Sequence, residues 1–282
     1  MSKPVKFTHQ DNDRYNIRAL DRAISILSLL TDGAPRTPAE ISEKLGLSPS
    51  TTFRMVSTLA YYRYVRRDKK TNQYQLGLAC LELAQAYLVS NDVRMVALPE
   101  LEALRDETKE TIHLAVLDEM EIVYLEKLAG LHAIGMMSSR IGGRAPAFCT
   151  GVGKILLAYQ DQDEVREYYR THDPFPFTSA TIVDLDLLMN ELIDIQQQGF
   201  AFDRGEHENE VRCVATPIFD LNGQVEAAIS ISGPSIRMDP LEENHLMIER
   251  AKQTALNISR QLGYKPQNKT LREVKNSPVK KY

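Results

Sequence analysis

The run CTGVGKILLAY at 149–159 packs a thiol, two glycines and a lysine into six residues. It is not a phosphate loop. That motif needs a glycine five positions before Gly153, where Phe148 stands, and Ser or Thr after Lys154, where Ile155 stands. What is left is a glycine-containing helix start. Its free N–H groups and positive dipole end favour a small anion such as a carboxylate. The same glycines would also permit close packing, and spacing alone leaves both readings open. Cys149 suggests a thiol nucleophile only if a histidine stands beside it. His113, His132, His172 and His207 are available, but no local signature pairs one with the cysteine, so a buried structural thiol is the favoured reading. Asp203, Glu206, His207, Glu208 and Cys213 have metal-ligand chemistry but match no standard zinc spacing; an acidic loop is favoured. No catalytic residue, cofactor or metal is therefore expected. An enzyme acting through Cys149 or a bound metal stands as the alternative.

A second constellation lies at 45–59, LGLSPSTTFRMVSTL. At 100° per residue, Phe53, Val56 and Ala60 are expected to face inward and Thr51, Arg54, Met55 and Thr58 outward. The outward face carries hydroxyls, an arginine and methyl groups, with no acid to repel phosphate. That chemistry suits a DNA major groove, where arginine pairs with guanine and methyl groups touch thymine. Ser48, Ser50 and Thr52, at the helix start, are added as DNA-contact candidates. The following YRYVRRDKKTNQYQL alternates around a basic turn and reads as a hairpin. Its Arg63, Arg66, Arg67, Lys69 and Lys70 would neutralise backbone phosphates.

The elements that position these residues can be read from punctuation. Apolar residues at Leu20, Ala23, Ile24, Leu27 and Leu30 have helical period, and Asp32-Gly33-Ala34-Pro35 stops that helix. Thr37 and Ser48 can each cap a helix, and each is followed by proline. Gly46 separates the two. Three helices and a basic hairpin predict a winged helix-turn-helix over 17–76, with a joining helix over 77–92. Beyond it, hairpins are expected around Asp118-Glu119 and around Asn222-Gly223. Helices are expected near 150–159, 162–170 and 184–198, and from Pro240 to Leu262. This predicts an α+β protein whose body at 93–264 is an α/β domain on a mainly antiparallel sheet.

Charge divides the chain in the same way. Residues 1–80 carry 13 Lys+Arg against 7 Asp+Glu, leaving 21 against 31 for the rest. A basic head on an acidic body implies two jobs. The three cysteines are scattered, which fits a reduced, cytoplasmic protein. No apolar run approaches the roughly 18 residues of a membrane span, so no membrane association is expected. The tails at 1–16 and 265–282, the latter basic, are expected to be disordered.

In this order the motifs resemble the isocitrate lyase regulator (IclR) family of bacterial transcription factors over about 17–264. They are RALDRAISILSLL, LGLSPSTTFRMVSTL, ETIHLAVLDEMEIVYLEKL, SRIGGRAPAFCTGVGKILLAY and VRCVATPIFD with GQVEAAISISGP. The central segment is most similar to the branch that includes regulators of 2-keto-3-deoxygluconate catabolism. The resemblance implies a winged-helix head, a linker helix and a GAF-like effector domain. It also implies homodimers or homotetramers on palindromic double-stranded DNA operators, and a small carboxylate effector such as a 2-oxo acid or sugar acid. The effector pocket would be lined by Gly151, Val152, Asp203, Val211, Cys213, Ser230 and Ser232. Strand alternation is consistent with this, since 211 and 213 share one sheet face, as do 230 and 232. Two positions depart from the family pattern: Glu210 stands where glycine is usual, and Pro49 where a basic or polar residue is common. The reading is an effector-controlled regulator, a repressor rather than an activator.

Overall fold

The computed structural model describes residues 17–132 and 137–265. The expectations for 1–16 and 266–282 lie outside the described residues. The chain divides into two compact units, Met1–Ser90 and Asn91–Tyr282.

The first unit holds helices α1 (Arg18–Leu29), α2 (Pro38–Leu45) and α3 (Pro49–Tyr61), a hairpin of β1 (Val65–Arg67) and β2 (Tyr74–Leu76), and α4 (Leu78–Ser90). Local chemistry sets the boundaries. Thr37 closes a capping box with Glu40, and Gly46 ends α2 at φ 61°, a left-handed conformation that glycine adopts without strain. Ser48 caps α3 by accepting from the Thr51 N–H. Ile26, Leu30, Ile41, Val56, Val65 and Tyr74 form the small core. Arg36 exchanges both backbone hydrogen bonds with Tyr74, which fastens the hairpin to the loop before α2.

The second unit begins with α5 (Asp92–Thr108), capped by Asn91 and carrying Pro99 inside it. Strands β3 (Thr111–Asp118), β4 (Glu121–Leu128) and β5 (Arg144–Pro146) follow, then α6 (Gly151–Ala158), α7 (Gln162–Thr171) and α8 (Leu185–Gln198). The chain finishes with β6 (Ala201–Asp203), β7 (Val211–Phe219), β8 (Val225–Pro234), the short α9 (Ser235–Met238) and α10 (His245–Gln261). Among the described residues these strands form one sheet in the order β5-β4-β3-β8-β7-β6, with every neighbouring pair antiparallel.

Alternation along the central strands sends two sets of side chains to opposite faces. Ile112, Leu114, Val214, Ile229 and Ile231 pack against α5 and α10. Ala115, Ala215 and Ala228 face α6 and α8. Small residues there let α6 lie close to the sheet. Among the described residues, no helix is long and apolar enough to cross a membrane.

Two local expectations need correction. The β3–β4 turn is Glu119-Met120, both at positive φ, one residue later than expected. The last helix starts at His245, capped by Asn244, because Leu241–Glu243 forms a separate 3₁₀ turn. No element was expected over 93–108, where α5 forms with Pro99 inside it.

Candidate functional site

In the first unit α3 presents an outer face, but it is rotated from the expected one. Val56 is the centre of the buried stripe, flanked by Thr52 and Leu59 and bordered by Met55. Thr52 is fully buried and its hydroxyl has no hydrogen-bond partner, so the expectation that it reaches DNA is corrected. Met55 packs partly into the core, so it too sits at the edge of the outer face. Phe53, expected inside, is 54% exposed. The physical reason is packing. The stripe takes Thr52 at i−4 from Val56 rather than Phe53 at i−3, while Leu59 and Ala60, at i+3 and i+4, both pack against the core, so the compact side chain is the buried one. The outer face therefore carries Ser50, Phe53, Arg54 and Thr58, with Ser57 half-buried beside them and Tyr61 at its end. Thr51 is half-buried and its hydroxyl accepts from Ser48 Oγ at 2.8 Å, part of the cap. Thr58 donates to the Arg54 carbonyl at 2.9 Å, leaving its methyl and oxygen lone pairs outward.

The hairpin tip is built by Asp68. Its Oδ1 accepts from the N–H groups of Lys70 at 2.7 Å and Thr71 at 3.3 Å. The Lys70 N–H bond holds the Asp68 carboxyl below its ordinary value. Arg66, Arg67, Lys69 and Lys70 are all exposed, and Arg67 is oriented by Asn72 Oδ1 at 2.8 Å. Among the described residues, Arg54 and these four cations make no ion pair, so their charge is available to a partner. Arg63 differs, lying 3.5 Å from Glu82.

In the second unit all seven residues expected around an effector line one cavity of about 40 Å³, namely Gly151, Val152, Asp203, Val211, Cys213, Ser230 and Ser232. The register explains the convergence. Cys213 pairs with Ser232 and Asp203 with Cys213 across the antiparallel ladders, while His113 pairs with Ser230. The same cavity takes in His113, Tyr124, Met137, Ser139, Thr150, His207 and Glu208, none of which had been assigned to the pocket. Alternation on β3 could have indicated His113, a polar residue inside an apolar strand. Thr150, as a cap immediately before Gly151, was also readable.

His113 organises the polar wall. Its Nε2 lies 2.8 Å from Ser139 Oγ, and its Nδ1 lies 3.3 Å from both Ser230 Oγ and Ser232 Oγ. Burial, reinforced by the Lys127 charge, pushes its pKa down to about 3, so the ring is neutral near pH 7. It therefore acts as one donor and one acceptor among hydroxyls. Facing it is the start of α6, where Thr150 Oγ1 accepts from the Gly153 N–H at 3.2 Å. The N–H groups of Gly151 and Val152 precede the first internal helix bond and have no partner within the helix. A Cβ on Gly151 would lie 2.5 Å from Cys213 Sγ and 3.3 Å from the Ala215 methyl. Gly151 thus serves close packing of α6 on β7 and also opens the helix end.

Behind the cavity lies a buried ion cluster. Lys154 on α6 is fully buried, with Nζ 2.6 Å from Glu206 and 3.0 Å from Glu191. Arg204 extends the cluster to Glu191 and Glu242. Burial opposes the Lys154 charge, but the Glu206 and Glu191 carboxylates outweigh it and hold its pKa above the ordinary value. Asp203 is different. Burial, and then the Glu206 charge, push its carboxyl up to about 7.

Cys149 is buried, and burial, followed by the Asp203 and Glu206 charges, raises its thiol pKa. Such a thiol is a poor nucleophile. Among the described residues, no cluster of three or more His, Cys, Asp or Glu is arranged to hold a metal ion.

Comparison with known proteins gives two family matches. The IclR helix-turn-helix domain matches residues 19–69, and the C-terminal domain of bacterial transcriptional regulator IclR matches 85–260. The chain is 35% identical to the transcriptional regulator XynR of Escherichia coli K12, covering 88% of this chain and 98% of that protein. It is 34% identical to KdgR of the same organism, over 90% and 96%. An IclR homologue from Microbacterium hydrocarbonoxydans, solved in complex with 4-hydroxybenzoate, is similar in structure with a TM-score of 0.75. It is 27% identical, over 86% of this chain and 98% of that one.

Proposed function

The chain belongs to the isocitrate lyase regulator (IclR) family and is a DNA-binding transcriptional regulator with a C-terminal effector domain; from that premise we propose how it reads DNA and what it senses. The outer face of α3 enters the major groove, where Arg54 reads a base edge and Ser50 and Thr58 contact phosphates or bases. Arg66, Arg67, Lys69 and Lys70 hold the flanking backbone. Two heads are supplied by a homodimer, or by a homotetramer, on a palindromic operator. In support of self-association, α4 exposes Leu78, Leu81, Leu83, Tyr87 and Val89, an apolar surface large for a free helix.

The effector we propose is a small carboxylate, a 2-oxo acid or a sugar acid. The observation that carries this is the cavity where the start of α6 faces hydroxyls from β8. Helix N–H groups and hydroxyls are suitable partners for a carboxylate. The complex of a relative with 4-hydroxybenzoate, itself a carboxylate, is consistent with this class. The protein works in the cytoplasm as a repressor. Effector binding shifts it between two arrangements of the paired heads, by no more than its differential affinity for them.

Arg54→Ala tests the DNA reading. Anisotropy titrations on operator and random DNA should show a loss of about 1–3 kcal/mol on the operator alone, with relaxed preference at one position. Equal weakening on both DNAs would assign Arg54 to phosphate. A thermal-shift panel tests the effector reading: a ligand at 100 times its Kd stabilises by about 2.7 kcal/mol. A shift that survives Ser230→Ala with Ser232→Ala would move the ligand elsewhere.

A further inference from the structure

A carboxylate entering this cavity meets an electrostatic problem. Among the described residues that line it there is no lysine or arginine, and two, Asp203 and Glu208, are acids. The buried amine nearby, Lys154, is already held between Glu206 and Glu191. Lys127 directs its Nζ to the carbonyls of Met137 and Ser139, at 3.0 and 2.6 Å. Two carboxylates sharing a buried site cannot both stay ionised.

The geometry of Asp203 offers a resolution. Both backbone donors, the N–H groups of Gly205 at 3.0 Å and Glu206 at 2.7 Å, fall on Oδ1. Oδ2 is thereby left as the oxygen able to carry a proton. We infer that Asp203 takes up a proton from solvent as the effector binds and donates a hydrogen bond from its neutral carboxyl to the effector's carboxylate. This rests on the carboxylate reading above and adds its regulation: effector sensing is coupled to pH.

The surroundings support a neutral Asp203. The groups around it are Glu206 from its own loop, Lys154 from α6, Cys213 from β7, Cys149 before α6 and Tyr124 from β4, with His113 from β3 and His207 and Glu208 from the loop after β6 lining the same cavity. Burial raises the pKa of both thiols and of the phenol, so these three are uncharged near neutrality. Burial and Glu206 place the Asp203 carboxyl near pH 7, so protonation costs little there.

The test is isothermal titration calorimetry of the full chain with pyruvate, 2-oxoglutarate, gluconate and galacturonate. Each is measured in two buffers of different ionisation enthalpy. An acid that binds should take up about 0.9 proton at pH 8, and its Kd should rise roughly tenfold from pH 8 to pH 9. Asp203→Asn carries its donor permanently and should bind with the same Kd from pH 6 to pH 9. If that variant does not fold, the wild-type titration decides alone. A wild-type Kd that is flat over this range, with buffer-independent heats, would overturn the inference while leaving the carboxylate reading intact. No binding by any of the four acids would overturn that reading, and the inference with it.

Discussion

Replacing Lys154 by methionine removes a charge from the most enclosed ion pair in the second unit while nearly keeping the side-chain volume. The two acids respond differently. Glu191 is 24% exposed and keeps Arg204 at 3.3 Å, so it retains a partner and some water. Glu206 is only 3% exposed, and its Oε2 already lacks a hydrogen bond. Its Oε1 would keep just the Arg204 N–H at 3.4 Å. The cost is therefore that of breaking a buried pair by removing one partner, about 3–5 kcal/mol. Urea unfolding followed by far-UV circular dichroism should show the second unit's midpoint falling by roughly 1–2 M. Combining Lys154→Met with Glu206→Gln removes both charges and should recover more than half of the loss. The pH dependence follows from the pKa directions. Lys154 is raised above 10.5, so its contribution is complete below that value and is lost only as pH rises through the higher folded value. For Glu191, burial raises the pKa but Lys154 and Arg204 outweigh it. The net lowering makes its contribution complete above 4.5 and lost as pH falls through the lower folded value. Lys154 also holds the Asp203 carboxyl down, so removing it raises that group further and the loss in Lys154→Met should grow from pH 6 to pH 9. A cost under about 1 kcal/mol, that of an exposed pair, or a double variant no more stable than the single, would refute the reasoning.

Neutralising Lys69 or Lys70 should lower the salt slope of log K for operator DNA by roughly 0.9 per lost phosphate contact, and an unchanged slope for every hairpin cation would remove the wing from the interface. Leu81→Glu places a charge on the apolar face of α4; light scattering should show a smaller assembly, and an unaltered mass would put self-association elsewhere. The Asp203 carboxyl is raised from 3.8 to about 7 on folding. A raised folded value means stability is lost as pH climbs from about 4 to 7. Asp203→Asn should therefore match the wild type below about pH 4 and exceed it at pH 8 by up to about 4 kcal/mol, from 1.36 kcal/mol per unit. A pH-independent difference in unfolding would show that burial does not control this group.

Local punctuation was legible wherever one residue type solves one backbone problem. Thr37, Ser48 and Gly46 mark helix ends because caps and left-handed residues are short-range requirements. Strand alternation indicated that 211 with 213, and 230 with 232, share faces. The same reasoning went wrong on α3. Phe53 is more apolar than Thr52 and was expected inside, yet the buried position goes to the smaller side chain. Two adjacent registers of one amphipathic helix differ by little in sequence pattern, and packing volume chose between them.

The sequence by itself determined most of the helices and the long hairpins, the separation of a basic head from an acidic body, and the family. All three rest on local pattern and on motifs carried along the chain. Only the tertiary structure decided what meets what. His113, Tyr124, Ser139 and Ser230 are far apart in sequence, and β8 pairs with β3 only because the sheet order departs from chain order. The Lys154–Glu206–Glu191 cluster and the raised Asp203 carboxyl belong to the same category. Each depends on burial and on distances between separate elements, and neither quantity exists until the chain has folded.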